Sequence, residues 1–273
     1  MDDLLPIRQI VEKYNLAADK KLGQNFLFDL NITDKIARSA GSLENVTVVE
    51  VGPGPGALTR SILAAGAKKV IAIEKDTRCI NALNDYLVPY AKGRLEVVNG
   101  DALDMSLLDN IDGKIKIIAN LPYNISTELL FRWLDIKEKF TSFTCMFQKE
   151  VAMRITAKPG GKDYGRLSVK TQLLCDTEHR FDVPPTVFYP PPKVNSSIIT
   201  ITPLDKIKFE IDIEKFDLVV KTLFSQRRKT IRSNLKQLSG SVSDLLDKIN
   251  IDGNRRAETL TLEEFAKITN NIK

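Results

Sequence analysis

From about residue 46 onward, the chain alternates short runs of β-branched residues with longer segments whose apolar positions recur at helical spacing. That alternation predicts a parallel sheet with helices on both faces, because each parallel strand needs a crossover that returns across the sheet. Strands are expected at "VTVVEV" (46–51), "KVIAIE" (69–74), "RLEVVN" (94–99), "KIKIIAN" (114–120) and "SFTCMFQ" (142–148), with helices near 57–65, 77–88 and 126–136. Two later runs, "RLSVKTQLLC" (166–175) and "SSIITITPL" (196–204), have no obvious helix between them. They read as a hairpin-like pair of strands, an antiparallel edge on a mostly parallel sheet. The proline-rich "VPPTVFYPPPKV" (183–194) reads as an ordered loop or linker, since proline lacks the N–H that a central strand or helix needs. After Pro203 the pattern is helical throughout, in "EKFDLVVKTLFSQRRKTIRSNLKQL", "SVSDLLDKI" and "TLEEFAKITN". An α/β domain over 1–204 and a small all-helical domain over 205–273 are therefore expected.

Composition narrows the class. The 273 residues are 43% hydrophobic, enough for a substantial core. No apolar run approaches the roughly 20 residues a membrane span needs. The opening "MDDLLPIRQIVEKYN" mixes acids and bases in an amphipathic pattern instead of a basic segment followed by an apolar one. We read a soluble, unexported, cytoplasmic protein with no membrane partner. Cys79, Cys145 and Cys175 lie far apart without a CxxC pair, which fits a reducing compartment and argues against a disulfide framework or a zinc site. The single histidine, His179, reads as an exposed loop residue, and one histidine is too few for a multi-histidine metal site; no metal is expected.

Net charge is +5, a modest excess whose distribution matters more than its total. Residues 225–236, "SQRRKTIRSNLK", carry Arg227, Arg228, Lys229, Arg232 and Lys236 with no acid among them. A solvated helix face normally interleaves both signs, so a polyanion-binding surface stands beside that reading on equal terms. On a helix, Arg228 and Arg232 share one side and would hold phosphate or pair with a local acid such as Asp217.

Candidate chemistry gathers at the strand ends. "VVEVGPGPGAL" puts Gly52, Gly54 and Gly56 between the first strand and the first crossover helix, where a backbone turn can approach a ligand closely. The spacing is G-x-G-x-G rather than the G-x-G-x-x-G that seats a pyrophosphate, and Glu50 precedes it, which is unfavourable beside phosphate but not beside a cationic ligand. Glu74, about 20 residues beyond the glycines, can accept from both ribose hydroxyls. Nicotinamide and sulfonium nucleosides share that need; Asp101 of "VNGDAL" could accept from the exocyclic amine of an adenine, and a ribose, an adenine and a positively charged tail are the parts of S-adenosylmethionine.

The stretch "IIANLPYNIS" (117–126) ends a buried strand in Asn120, Leu121, Pro122 and Tyr123. A turn accounts for the proline alone. An exocyclic amine on a nucleobase is a weak nucleophile, because its lone pair is delocalised, and methyl transfer to it consists chiefly of aiming that lone pair at an activated methyl group and excluding water. The Asn120 side-chain oxygen and a backbone carbonyl around Leu121 and Pro122 can accept the two amine hydrogens, and Tyr123 offers a face for an extruded base. Phe188 is the candidate for the base's other face. No strong base is required.

"KKLGQNFL" (20–27), "EVGPGPGALT", "IEKD", "NGDAL", "NLPYNIS", "FQKEVAMRI", "YGRLSV", "VFYPPPKVNSSI" and "LFSQRRKTIRSNL" come in an order that resembles the small-subunit (16S-type) rRNA adenine N6,N6-dimethyltransferase family, KsgA/RsmA type, over nearly the whole chain. The resemblance implies a Rossmann-like S-adenosylmethionine-dependent methyltransferase sheet, mostly parallel with an antiparallel edge. It implies that Asn25 and Leu27 close over the cofactor, that Gly52 lies under its amino-acid portion, that Glu74 holds the ribose and Asp101 the adenine end, and that Asn120 faces both cofactor and target base. The implied substrate is two adjacent adenosines in a hairpin near the 3′ end of small-subunit rRNA within a pre-ribosomal 30S-type particle. The C-terminal domain, through Arg227, Arg228, Lys229 and Arg232, would hold RNA phosphates, and the protein would act as a monomer. Two rivals share the fold: a large-subunit rRNA adenine methyltransferase of the resistance type, and a non-catalytic assembly factor that only binds RNA. A nicotinamide-dependent redox enzyme is the third alternative.

Overall fold

The computed structural model describes residues 4–18, 23–238 and 240–272. In chain order the elements are α1 (Ile7–Lys13), β1 (Phe26–Leu27), α2 (Leu30–Ser39), β2 (Thr47–Val51), α3 (Ala57–Ala64), β3 (Lys69–Glu74), α4 (Thr77–Tyr86), β4 (Leu95–Asn99), β5 (Ile115–Asn120), α5 (Ser126–Asp135) and β6 (Phe140–Gln148). They continue with α6 (Lys149–Thr156), α7 (Arg166–Leu174), β7 (Cys175–Val183), β8 (Phe188–Tyr189), β9 (Ser196–Pro203), α8 (Ile213–Leu223), α9 (Ile231–Leu235), α10 (Val242–Lys248) and α11 (Leu262–Asn271). The first part of "KKLGQNFL", Lys20 to Leu22, lies outside the described residues.

The main sheet runs in the order β4-β3-β2-β5-β6-β9-β7. β2 pairs in parallel with β3 and β5, β3 with β4, and β5 with β6, whereas β9 is antiparallel to β6. The central strands β2, β3 and β5 are rich in Val, Ile and Ala because crossover helices cover both of their faces; Val48, Val49, Ala72, Ile117 and Ile118 are fully buried. A separate two-stranded sheet joins β1 to β8, antiparallel, with Phe26 opposite Tyr189 and Leu27 opposite Phe188. The proline-rich segment thus contains a short strand.

The expected strand at 166–175 is a helix, α7, and this is a correction. Ser168, Val169, Lys170, Thr171, Leu173 and Leu174 are all buried, so the segment is buried almost all round without a single apolar stripe, and its alternation imitates a strand. Ser168 Oγ accepts from Gly165 N at 3.1 Å, satisfying a donor at the helix start. The strand beside β9 is instead β7, "CDTEHRFDV", whose mostly exposed residues give no apolar alternation because it lies at the sheet edge. His179 is exposed, as expected, but lies in β7 and not in a loop; its Nε2 sits 2.9 Å from Asp182 Oδ1.

The chain forms two compact units. One takes in the chain up to Ala152 together with Glu178–Pro203, and the other Met153–Thr177 together with the chain from Leu204. The division therefore differs from a single cut after residue 204. In the second unit, Phe265 packs against Phe216 and Phe224 with ring centroids 6.3 and 5.8 Å away, and Tyr164, from the earlier segment, meets Phe224 at 6.5 Å. Gly160 N donates to Glu258 O at 2.8 Å, tying the same segment in through backbone.

The long helix read across 214–238 is broken, a second correction. α8 ends at Leu223, and Asn234 Nδ2 donates to Leu223 O at 2.8 Å and to Gln226 O at 3.3 Å, satisfying carbonyls at that end. α9 restarts behind Thr230, whose Oγ1 accepts from Ser233 N at 3.3 Å. Arg227, Arg228 and Lys229 lie in the turn between the helices, so the same-side helical spacing of Arg228 and Arg232 does not hold. Asp217 pairs with Lys170 at 2.8 Å rather than with that basic run.

Candidate active site

In the first unit the strand order changes direction at β2, between β3 and β5, and a cleft opens at the carboxyl ends of these strands, where doubly wound sheets bind ligands. Asn25, Leu27, Gly52, Glu74, Asp101, Asn120, Leu121, Pro122 and Tyr123 all line it. Residues separated by nearly 100 positions in sequence are brought together there.

The glycine turn forms the floor. Gly52, Gly54 and Gly56 adopt φ of +66°, +53° and +87°. At Gly56 a Cβ would lie 2.5 Å from Tyr86 Oη and 2.7 Å from Leu83 Cδ2, so glycine is required by both backbone and space. The Tyr86 hydroxyl donates to Pro55 O and fixes the turn from beneath.

Two buried carboxyls face this turn. Glu74 Oε2 accepts from Gly54 N at 3.0 Å, and Oε1 accepts from Lys75 N at 2.8 Å and Asp76 N at 2.9 Å. The residue is 7% exposed, and burial raises its pKa against the opposing pull of those N–H groups. Glu50 is more extreme: it is 1% exposed, its Oε2 has no hydrogen-bond partner among the described residues, and burial, reinforced by the nearby Glu74 charge, pushes its pKa up to about 8. A buried carboxyl with one oxygen unpaired, its raised pKa only partly offset by the Thr59 hydroxyl beside it, fits a cationic ligand group, because a positive charge would supply the partner that this oxygen lacks.

At the opposite wall, Asp101 Oδ2 meets Lys75 Nζ at 2.8 Å and Oδ1 accepts from Leu103 N at 3.0 Å; the lysine hydrogen bond holds its pKa down. Asn120 Nδ2 donates to Asn25 O at 3.2 Å, which fixes the amide plane and leaves Oδ1 as an acceptor in the cleft. Pro122 O accepts from Ile125 N at 3.2 Å and Tyr123 O from Ser126 Oγ at 3.2 Å, so the Leu121 carbonyl remains as the second acceptor of the motif. Tyr123 Oη shares a 2.6 Å hydrogen bond with Ser196 Oγ, which pins the ring at the rim, and burial raises the phenol's pKa.

Phe188 is not part of this wall. It is 4% exposed and packs in the core, opposite Leu27 in the short sheet. Arg227, Arg228, Lys229 and Arg232 are exposed in the second unit, with Arg227 Nη2 donating to Lys162 O at 3.0 Å.

Three contributors escaped the sequence reading. Gln24 Nε2 donates to Asp76 Oδ2 at 3.0 Å and joins the segment before β1 to the end of β3. Asp76 itself is drawn down to about 2, mainly by its hydrogen bond from Arg78, and its Oδ1 accepts from Arg78 N at the start of α4. Lys75 sets the orientation of Asp101. The signal available was "IEKD", where three charged residues follow a buried strand at the cleft edge. Among the described residues no group of three or more His, Cys, Asp or Glu side chains gathers as a metal site would require, and no helix is long and apolar enough to cross a membrane.

A model of the ribosomal RNA adenine dimethylase family matches residues 15–273. The ribosomal RNA small subunit methyltransferase A of Mesorhizobium japonicum is 49% identical over 281 residues, covering 100% of this chain and 99% of its own. Among solved structures, a dimethyladenosine transferase from Plasmodium falciparum superposes with a TM-score of 0.78 at 28% identity, covering 89% of this chain and 95% of that one. The 23S rRNA methyltransferase ErmE gives 0.71 at 26% identity, covering 91% and 99%.

Proposed function

The chain belongs to the ribosomal RNA adenine dimethylase family, and from that premise we propose that it methylates the N6 amines of two adjacent adenosines, twice each, in a hairpin near the 3′ end of small-subunit rRNA, with S-adenosylmethionine as donor. The observation that carries this reading is the Asn120 amide, held by Asn25 O so that its oxygen remains an acceptor at the end of a buried strand.

S-adenosylmethionine, when bound, supplies a methyl group already activated by its sulfonium. Glu50 provides the buried carboxyl that a cationic tail would satisfy, and Glu74 presents its carboxylate to the ribose from a position fixed by three backbone N–H groups. Asp101, oriented by Lys75, accepts from the adenine amine. Asn120 Oδ1 and Leu121 O accept the two hydrogens of the target amine and turn its lone pair toward the donor, while Tyr123 stacks on the extruded base. Once nitrogen bonds to carbon its proton is acidic and leaves to water, so no side-chain base acts. Arg227, Arg228, Lys229 and Arg232 hold RNA phosphates by charge, which adds affinity with little base selectivity. The substrate is a pre-ribosomal 30S-type particle in the cytoplasm.

Identity favours the small subunit over the large: the small-subunit relative is 49% identical across its length, against 26% for ErmE. Incubation with methyl-labelled S-adenosylmethionine and either small or large ribosomal subunits lacking the modification tests the reading. Label is expected in the small-subunit RNA; label confined to large-subunit RNA, or absent from both, would overturn it.

A further inference from the structure

Tyr189 is 55% exposed, yet its ring lies stacked on Phe28, with centroids 5.5 Å apart and planes 18° from parallel. One face is against Phe28, and more than half of the residue is open to solvent. Backbone pairing holds the two residues in place. Tyr189 is opposite Phe26 in the β1–β8 ladder, Phe28 N donates to Val187 O at 3.3 Å, and the neighbouring residues Phe26, Leu27 and Phe188 are all buried. An exposed tyrosine already backed by a stacked ring, on a short backbone-paired strand, offers a preformed aromatic face that a planar ligand can cover.

Its place names the occupant. Phe26 and Leu27, on the facing strand, line the cleft, and Asn25 just before them supplies the carbonyl that orients Asn120. Paired residues on antiparallel strands have Cα atoms about 4.5 to 5.5 Å apart, so Tyr189 lies directly beside the cleft-lining Phe26, just outside the cleft itself. Lys193, four residues further along the same segment, is exposed and makes no ion pair among the described residues, so a cation is at hand for a neighbouring phosphate. A flat π-face beside the base pocket, with a free cation close in sequence, matches one nucleotide of a single strand.

Resting on the adenine methyltransferase reading, we propose that the Phe28–Tyr189 pair is a stacking platform for the unpaired nucleotide adjacent to the target adenosine, a contact outside the catalytic cleft that holds the RNA loop open while the target base is inserted. The contact is made alike in ground and transition states, so its loss raises KM and leaves kcat nearly intact.

Tyr189→Ala and Tyr189→Phe are to be compared with the unaltered protein for methyl transfer to unmethylated small subunits, with cofactor affinity measured by calorimetry. Tyr189→Ala is expected to raise KM for the particle by about 5- to 160-fold, the range that stacking on one aromatic gives. Tyr189→Phe should stay close to the parent, and cofactor affinity should not move in either. Ultraviolet irradiation of the complex, followed by nuclease and protease digestion, should leave a nucleotide adduct on the peptide containing Tyr189. Unchanged KM in Tyr189→Ala overturns the proposal, as does an equal fall in cofactor affinity or the same defect in Tyr189→Phe. A raised KM without any RNA adduct would assign the contact to a protein of the particle and overturn it too. If the unaltered protein labels no small subunits, the functional reading fails instead, before any variant is compared.

Discussion

In the cleft of the first unit, Glu74 accepts three backbone N–H bonds, Asn120 is tied to Asn25, and Glu50 is buried with one oxygen unpaired. In the second unit, Arg228 and Lys229 stand exposed in the turn between α8 and α9. The first arrangement sets polar atoms at fixed positions in a low-dielectric site, where a single acceptor can decide a rate. The second sets charge in water, where each contact adds a small, screened increment. Substitutions should therefore fail differently in the two regions: through chemistry or proton linkage in the cleft, and through salt dependence in the basic turn.

The sharpest break is Asn120→Ala. Removing one fixed polar group from a transition-state site costs about 10² to 10³ in rate, so single-turnover methyl transfer should fall by at least that much while cofactor affinity falls far less. Intact chemistry with lost cofactor binding would remove Asn120 from the amine. Glu74→Ala comes next: losing a charge-assisted hydrogen bond should weaken S-adenosylmethionine binding by about 1.5 to 3 kcal/mol. Because the same carboxylate supports Gly54, the urea midpoint should also drop. Calorimetry showing unchanged cofactor affinity would refute the ribose assignment.

Glu50 gives a pH signature. Its pKa in the fold is raised from 4.5 to about 8, so the folded chain favours the neutral acid. The stability this confers is full below about pH 4.5 and is lost as pH rises toward 8, by up to about 1.4 kcal/mol per pH unit. Glu50→Gln should flatten that decline in urea unfolding without cofactor; an unaltered slope would contradict the burial argument. The smallest effect belongs to the basic turn. Replacing Arg228 and Arg232 by alanine should reduce the slope of log affinity against log salt by about 0.7 to 0.9 per lost phosphate contact, equally for cognate and altered hairpins, and leave cofactor binding unchanged. An unaltered slope in filter binding would make these arginines solvated surface.

Much of the first unit was legible because its physics is local. Parallel strands covered on both faces must be largely apolar runs, and a polar residue that ends such a run, as Asn120 does, has few structural reasons to be there. What stayed hidden depended on partners distant in sequence. Glu50 could be noted as an acid before the glycines, but its missing partner required the folded pocket. α7 was read as a strand because burial all round erased its helical period. β7 was missed because exposure at the sheet edge erased its alternation. The break after Leu223 is made by Asn234, eleven residues away, whose capping bonds no single turn of sequence announces. Phe188 carried an expected role at the base, and its burial opposite Leu27 moves attention to the exposed neighbour, Tyr189.

Mass mapping of RNA from unmethylated small subunits, after incubation with this protein and S-adenosylmethionine, tests the central claim most directly. The account predicts two methyl groups on the N6 atom of each of two adjacent adenosines in the hairpin near the 3′ end, and none when Asn120→Ala replaces the parent. Methylation at another atom or another RNA site, or an undiminished yield from Asn120→Ala, would contradict it.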